Sequence, residues 1–435
     1  MNGPCALHLT RAASPWPADG APAFPAFSAA GVPVVWSELA AAARAWSARP
    51  VAARIETVAA AAAELRRAGP GAHIAALAQS TGLSAAGVLA AWDATFAPCE
   101  AEALRTGVDA EDLWARLATQ PSLRFVHVLS GNVLPASWSM LVRGWLVGAA
   151  QWVRPAEREP LFAALIAHHL RRIAPELAAT VAITWWPHDD DAVQPAVLGH
   201  ADTVTAQGDD DSVAALAAAA ARWAPKAGFV GYGSRWSAAL LSRAAQTRDT
   251  AAALAQDVAL FDQQGCLSPS LVLAADGPQL ESWCDELAAE LAANEQRCPR
   301  GPLEPRAQAG LRLWRESMQL SVALGQARRL WESNATTAWA VVLMARDHVE
   351  DSPLDRHVVV LPCSGPADAA RVLGPRLQRL QGLALAAPEW PEPELTGWID
   401  RLRPARVAAP GALQWAPPVW RQDHLPPLGS LLQQR

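Results

Sequence analysis

From Leu123 onward, short apolar runs rich in β-branched residues alternate with longer amphipathic stretches, and this alternation restricts the chain to one class of fold. Residues 124–129, 151–153, 180–185, 203–205 and 228–230 read as strands. Between them, residues 135–148, 159–172 and 212–223 repeat their apolar positions with the period of a helix. Strands alternating with helices of this length predict an α/β fold, a mostly parallel sheet covered by helices on both faces. Ligands on such sheets lie beyond the C-terminal ends of the strands, where the loops gather. Up to Gln120 the chain is alanine-rich and helical in period, with turns at Arg49–Pro50, Gly69–Gly71 and Thr81–Gly82.

A second unit is expected from near Thr250. It should hold helices over 279–294 and 307–332, strands over 339–344 and 357–361, and a helix over 367–380. Domain boundaries are placed at 248/249 and 405/406. The last segment, rich in proline and tryptophan, is expected to pack across a domain or subunit boundary.

At 435 residues the chain can bury two or three cores, and 51% hydrophobic against 18% charged content excludes a disordered chain. A net charge of −6, with no basic stripe, argues against nucleic acid as a partner. The six cysteines (Cys5, Cys99, Cys266, Cys284, Cys298, Cys363) form no Cys-x-x-Cys pair, as suits a reducing compartment without a disulfide framework. Met1–Pro4 opens without the basic segment and apolar core of a signal peptide. The most apolar stretch, Trp138–Val153, is interrupted by Arg143 and falls short of the ~18–20 residues of a membrane span. A cytoplasmic protein with no membrane span is expected. The acidic clusters His188–Asp191 and Asp209–Asp211 read as a solvated turn and a helix N-terminal cap; no His or Cys stands at ligand spacing, so no metal site is expected.

Four segments carry the chemistry. Residues 257–270 run as a helix that stops at Gly265–Cys266, and Pro269 discourages another from starting. Gly265 is expected to end the helix in a left-handed conformation, which would set the Cys266 thiol at a change of backbone direction. Ser130–Pro135 follows the first strand, where the Asn132 carboxamide can aim an N–H at a developing oxyanion. Trp152–Glu157 follows the second strand, where the adenosine half of a dinucleotide would lie. Thr205–Asp209 precedes a helix, and Gly208 there permits approach to a pyrophosphate.

In this order the segments resemble the aldehyde dehydrogenase superfamily, whose members show a Pro-Trp-Asn-Phe-Pro loop, then Val-Lys-Pro-Ala-Glu, and much later Gly-Gln-x-Cys. Gly131–Asn132–Val133–Leu134–Pro135 and Val153–Arg154–Pro155–Ala156–Glu157 stand in for the first two. Gln263–Gln264–Gly265–Cys266–Leu267–Ser268–Pro269 is more similar to one branch, the acyl-CoA reductases of the luciferase-associated fatty-acid reductase type, which carry Gln-x-x-Cys-x-Ser-Pro. Val230–Ser237 resembles the glycine–serine segment of that branch, with Gly231 and Gly233, and Trp420–His424 its closing Trp-x-x-Asp-Gly. The resemblance runs from about Leu123 to Leu428. It implies a Rossmann-like dinucleotide-binding domain over 1–248, a catalytic α/β domain over 249–405, a nicotinamide cofactor and a homo-oligomer. Cys266 and Asn132 are then the catalytic residues, and Arg154, Glu157, Gly208, Gly231 and Gly233 the cofactor-binding ones.

Departures from the pattern sharpen the chemistry. Hydrolytic aldehyde dehydrogenases use a Glu-Leu-Gly-Gly glutamate to activate water, and the matching Phe229–Gly233 has no acid. Water should then be a poor acyl acceptor, which implies acyl thioester reduction. Arg154 replaces the usual lysine and adds a planar fork suited to phosphate. Glu157 can accept from a ribose 2′-OH but would repel a 2′-phosphate, so the implied NADPH leaves NADH open. The implied substrate is acyl-CoA or a carrier-protein-bound acyl thioester, reduced to the aldehyde through a Cys266 acyl-enzyme. A non-catalytic subunit is the alternative from another class.

Overall fold

The computed structural model describes residues 6–10, 24–131, 133–334, 336–346 and 348–432. They form two compact units. The first gathers the residues up to Thr81, Ala91–Ser234 and the segment from Pro417; the second holds Gly82–Ala90 and Arg235–Ala416.

The first unit is built on β1 (Leu7–His8), β2 (Arg124–Val128), β3 (Ala150–Arg154), β4 (Val181–Trp185), β5 (Thr203–Gln207) and β6 (Gly228–Tyr232). Their order is β1-β4-β3-β2-β5-β6, parallel throughout except for β1 against β4. The chain steps outward from β2 through β3 to β4, then returns to lay β5 on the other side of β2. That reversal creates a crevice at the C-terminal ends of β2 and β5. One face, with Val126, Trp152 and Val204, packs on Val35, Trp36 and Leu39 of the helix Val32–Ser47. The other face is polar for a core. The His127 ring bonds Thr205 Oγ1 at 2.7 Å and Gln151 Oε1 at 3.2 Å, and Gln151 Nε2 donates to the Leu141 carbonyl. Burial lowers the His127 pKa to about 4, so the ring is neutral and can both donate and accept.

The closing segment joins this same face. Arg143, with no exposed surface, donates to the carbonyls of Pro418 (2.8 Å) and Trp420 (3.1 Å) and to the Tyr232 hydroxyl (3.1 Å). The Glu111 carboxylate accepts from Leu428 N and Gly429 N, and Thr203 Oγ1 donates to the Leu431 carbonyl. Residues 417–432 are thus bound within the first unit, whereas 406–416 lie in the second.

The second unit has seven strands: β7 (Trp236–Leu241), β8 (Pro269–Ala275), β9 (Ala327–Glu332), β10 (Ala340–Met344), β11 (His357–Cys363), β12 (Leu380–Ala386) and β13 (Arg406–Ala408). They lie in the order β13-β12-β7-β8-β11-β10-β9, with only β9 antiparallel to its neighbour. Leu240, Leu273, Val342, Val359 and Leu383 pack there with Met318 and Trp398. Two expected helices are shorter than their periodicity suggested. The run 307–332 stops at Ala323, turns through Gly325 at φ 71° and continues as β9. In the run 367–380 the α-helix stops at Leu373, where Gly374 takes φ 50° and Pro375 cannot donate; a 3-10 helix over Gly374–Arg379 follows, and β12 begins at Leu380. The change of unit falls between Ser234 and Arg235, ahead of 248/249, because Trp236–Leu241 pairs with β8 and β12. No single helix among the described residues is long and apolar enough to cross a membrane.

Replacing Arg143 by methionine strands two buried carbonyls and a phenol. The Arg143→Met variant should lose about 3 kcal/mol of stability by urea unfolding; a loss indistinguishable from zero would show that the closing segment does not depend on it.

Candidate active site

The cysteine turn is built by strain held in place from several sides. The helix Arg248–Ala259 gives way to Leu260–Gln263, where Phe261, Asp262 and Gln263 take φ of 57°, 50° and 64°. The left-handed residues are therefore these three and not Gly265, whose φ is not positive. Each such residue costs about 1–2 kcal/mol when a Cβ is present, so the surroundings must over-determine it. They do so through Asp262, which accepts from Arg356 Nε at 2.9 Å and Gly301 N at 2.9 Å, with Arg356 Nη2 at 2.6 Å. Gln263 donates to the Pro269 carbonyl and accepts from His357 N. A second left-handed run, Leu354–Asp355–Arg356 (φ 67°, 51° and 65°), brings Arg356 to this point. Arg356 also reaches Glu295 at 2.9 Å and the Cys298 carbonyl at 2.8 Å. Gln414 closes the turn from below, its Nε2 donating to Asp257 O, Leu260 O and Ser268 Oγ.

Cys266 emerges from this frame half-buried. Its carbonyl accepts from Ser237 Oγ at 2.6 Å, and its Sγ lies 4.0 Å from Gln381 Nε2. Ser237 opens β7 and Gln381 opens β12, so the thiol stands at the N-terminal edge of the second sheet. Burial pushes the Cys99 and Cys363 thiols up to about 12 and also raises Cys284. Among the described residues no group of three His, Cys, Asp or Glu could hold a metal ion.

In the first unit the loops after β2 and β3 meet, since a Cβ on Gly131 would lie 2.9 Å from that of Ala156. Asn132 lies outside the described residues. Arg154 donates from Nε to the Trp186 carbonyl at 3.0 Å, its guanidinium 5.6 Å from the Trp186 ring centre. Burial lowers its pKa and Glu157 opposes the shift; Glu157 itself is exposed. Glu159, not singled out from sequence, accepts from Leu161 N and Phe162 N and caps the helix Leu161–Ile173. Its pKa rises to about 6 through burial. The signal was its place before Pro160 at a helix start.

Gly208 follows β5, but Asp209 caps the next helix by accepting from Ser212 N at 2.7 Å. That helix N-terminus already carries its own carboxylate, which disfavours a pyrophosphate on it. Gly231 has a packing reason, because a Cβ there would meet Val213 Cγ1 at 2.6 Å. Gly233 lies half-buried between β6 and β7. Sequence reasoning passed over Gln207, the last residue of β5. It is 6% exposed, and neither its Oε1 nor its Nε2 has a hydrogen-bond partner. At the topological crevice, such a carboxamide fits a ligand that can both donate and accept.

The acyl-CoA reductase (LuxC) family model matches residues 52–433. The chain belongs to that family. Curated relatives include the long-chain acyl-protein thioester reductases of Aliivibrio fischeri, 24% identical over 55% of this chain and 49% of the relative, and of Vibrio harveyi, 25% over 41% and 38%. The chain thus aligns to about half or less of their lengths. Among solved structures, aldehyde dehydrogenase 21 from Physcomitrella patens matches with a TM-score of 0.68 at 14% identity, covering 97% of this chain and 89% of that one. The P. syringae indole-3-acetaldehyde dehydrogenase AldA, in complex with NAD+ and IAA, matches with a TM-score of 0.64 at 16% identity over 90% and 84%. The fold is that of the aldehyde dehydrogenases.

Within the LuxC family the chain departs from the resemblance at its closing motif. His424 stands where the resemblance places a glycine, and it takes φ 64°, a conformation glycine adopts without strain. In this LuxC chain the cysteine turn also has a titrating support. Burial pushes the Asp257 carboxyl up to about 7, against ~3.9 in an unfolded chain. A carboxyl raised in the folded state stabilises below the unfolded value and loses that contribution as pH climbs through the folded one. Between about pH 4 and pH 7 the parent should lose stability that Asp257→Asn retains, measured by urea midpoints. Parallel profiles for the two proteins would remove Asp257 from this role.

Proposed function

We propose that the protein reduces an acyl thioester to the aldehyde with a reduced nicotinamide cofactor, through an acyl-enzyme on Cys266. The observation that carries this reading is a half-buried thiol on a rigidly braced turn, in a chain with no acid in the stretch matching the water-activating segment. The Cys266 thiolate attacks the thioester carbonyl, forming a carbon–sulfur bond and an oxyanion. Donors proposed for that oxyanion are the Cys266 backbone N–H and the Asn132 carboxamide, and losing one such donor typically costs ~10²–10³ in rate. Collapse breaks the original carbon–sulfur bond, and the carrier thiolate leaves with the acyl group on Cys266. A bound nicotinamide supplies the hydride for that acyl carbon. Release of the Cys266 thiolate then frees the aldehyde.

The first unit fits a dinucleotide at the crevice between β2 and β5. Gln207 supplies an unsatisfied carboxamide there, Gly131 and Gly208 border it, and Arg154 and Glu157 lie at the end of the next strand. NADPH is the proposed cofactor, from the family resemblance, with NADH as the competitor that Glu157 favours. Acyl-CoA is the proposed substrate. The relatives' names, acyl-protein thioester reductases, favour a second reading in which the acyl group arrives on a protein.

Two measurements test the proposal. Cys266→Ala should abolish NADPH oxidation with acyl-CoA and with acyl-carrier protein, and full turnover in that variant would end the mechanism. Gln207→Leu should weaken NADPH binding about tenfold by fluorescence titration without acyl substrate; unchanged binding of both NADPH and NADH would detach Gln207 from the cofactor.

A further inference from the structure

The support of the cysteine turn explains where the thiol is, not what keeps its sulfur reactive. Charged groups on the surrounding elements are largely engaged with one another. Asp262 and Glu295 bind Arg356, Gly411 N donates to Asp257, and Gln264 Nε2 donates to Asp355. Arg300 bonds Thr337 and Arg406 donates to the Leu413 carbonyl, while Arg235 and Arg379 stand just ahead of β7 and β12. A neutral side chain approaches the sulfur: Gln381 Nε2 lies 4.0 Å from Cys266 Sγ, on a residue only 1% exposed.

We propose that Gln381 is a catalytic residue whose carboxamide N–H donates to the Cys266 sulfur and holds it as a thiolate ready to attack. A carboxamide does not titrate, so it stabilises the anion without taking its proton and leaves the thiol's ionisation as the only event at the pair. Four ångströms is long for a donor to a neutral thiol, and charge-assisted bonds are shorter, so ionisation draws the two together. Burial of Gln381 strengthens the donor, because a hydrogen bond gains in a low local dielectric. Gln381 sits on β12 at a register shift, unpaired between Leu380, which pairs with Trp236, and Gly382, which pairs with Ser237, the residue that fixes the Cys266 carbonyl. Backbone and sulfur of the nucleophile are thus held from adjacent strands of one sheet.

This inference rests on Cys266 being the nucleophile, and its test separates the two claims. In a Cys298→Ser background, which removes the other half-buried thiol among the described residues, the rate of iodoacetamide alkylation at Cys266 is followed across pH by peptide mass. Gln381→Leu should raise the apparent pKa of Cys266 by about one unit and slow alkylation near neutrality about tenfold. It should lower kcat for the acyl thioester with little change in KM. Gln381→Glu should raise the pKa further, by placing an anion at the sulfur. The profiles are repeated with Asp257→Asn so that its own titration is not mistaken for the thiol's. Superimposable profiles for the parent and Gln381→Leu would overturn the proposal; should Gln381→Leu fail to fold, Gln381→Asn, whose shorter arm withdraws the donor, decides by the same comparison. Thioester reduction surviving in Cys266→Ala would instead sink the acyl-enzyme reading, while the alkylation profiles still report on the Gln381 contact.

Discussion

The buried pair of Asp262 with Arg356 is the interaction on which the second unit's chemistry depends. Taking both charges out of water is costly, and it is offset only where geometry is good and the remaining donors are used. Here Arg356 Nη1, the nitrogen not facing Asp262, donates to both Glu295 and the Cys298 carbonyl, and Asp262 accepts from Gly301 N on its second oxygen. Those contacts pin two left-handed turns against each other. Backbone held in such a sparsely populated region persists only when several contacts agree on it, and the cysteine follows directly from one of the two turns. The position of the thiol is therefore a tertiary property, set by residues far apart in the chain.

That dependence explains what the sequence disclosed and what it withheld. Alternating strands and helices were legible because their apolar periods are local, and with them the places of β2 to β6 along the chain; their order across the sheet was not. Cys266 was legible through the Gly-Cys-x-Ser-Pro context. The left-handed residues were not, because Phe261, Asp262 and Gln263 have no intrinsic claim to that conformation and Gly265 does. β9 was hidden in what read as one long helix, since a single glycine in a charged amphipathic run carries little signal. β7 was hidden too, its first two residues being read as the end of a glycine–serine motif and the rest left without an assignment. Gln207 was invisible because a glutamine at a strand end is unremarkable until both its polar atoms are found buried and unsatisfied.

The sheet of the first unit differs from a purely apolar core in one respect. On the face of Gln151, His127 and Thr205, polar groups bond across three strands, and a fully connected buried network favours one register over its neighbours. A slip by one residue would strand each of these groups. The unsatisfied member of the same face is Gln207, at the end that opens onto the crevice. Order in the middle of the strand and an open valence at its tip are consistent with a scaffold that presents a binding group.

The first unit is discontinuous, with the whole of Arg235–Ala416 inserted before its last piece. Arg143 finds two of its acceptors only at Pro418 and Trp420, and Thr203 finds its own only at Leu431. During synthesis the growing chain carries that guanidinium without these two acceptors until residues 418–420 have been made. Translation order thus lets the first unit close only after Arg235–Ala416 has been made, although most of its own residues precede that insertion.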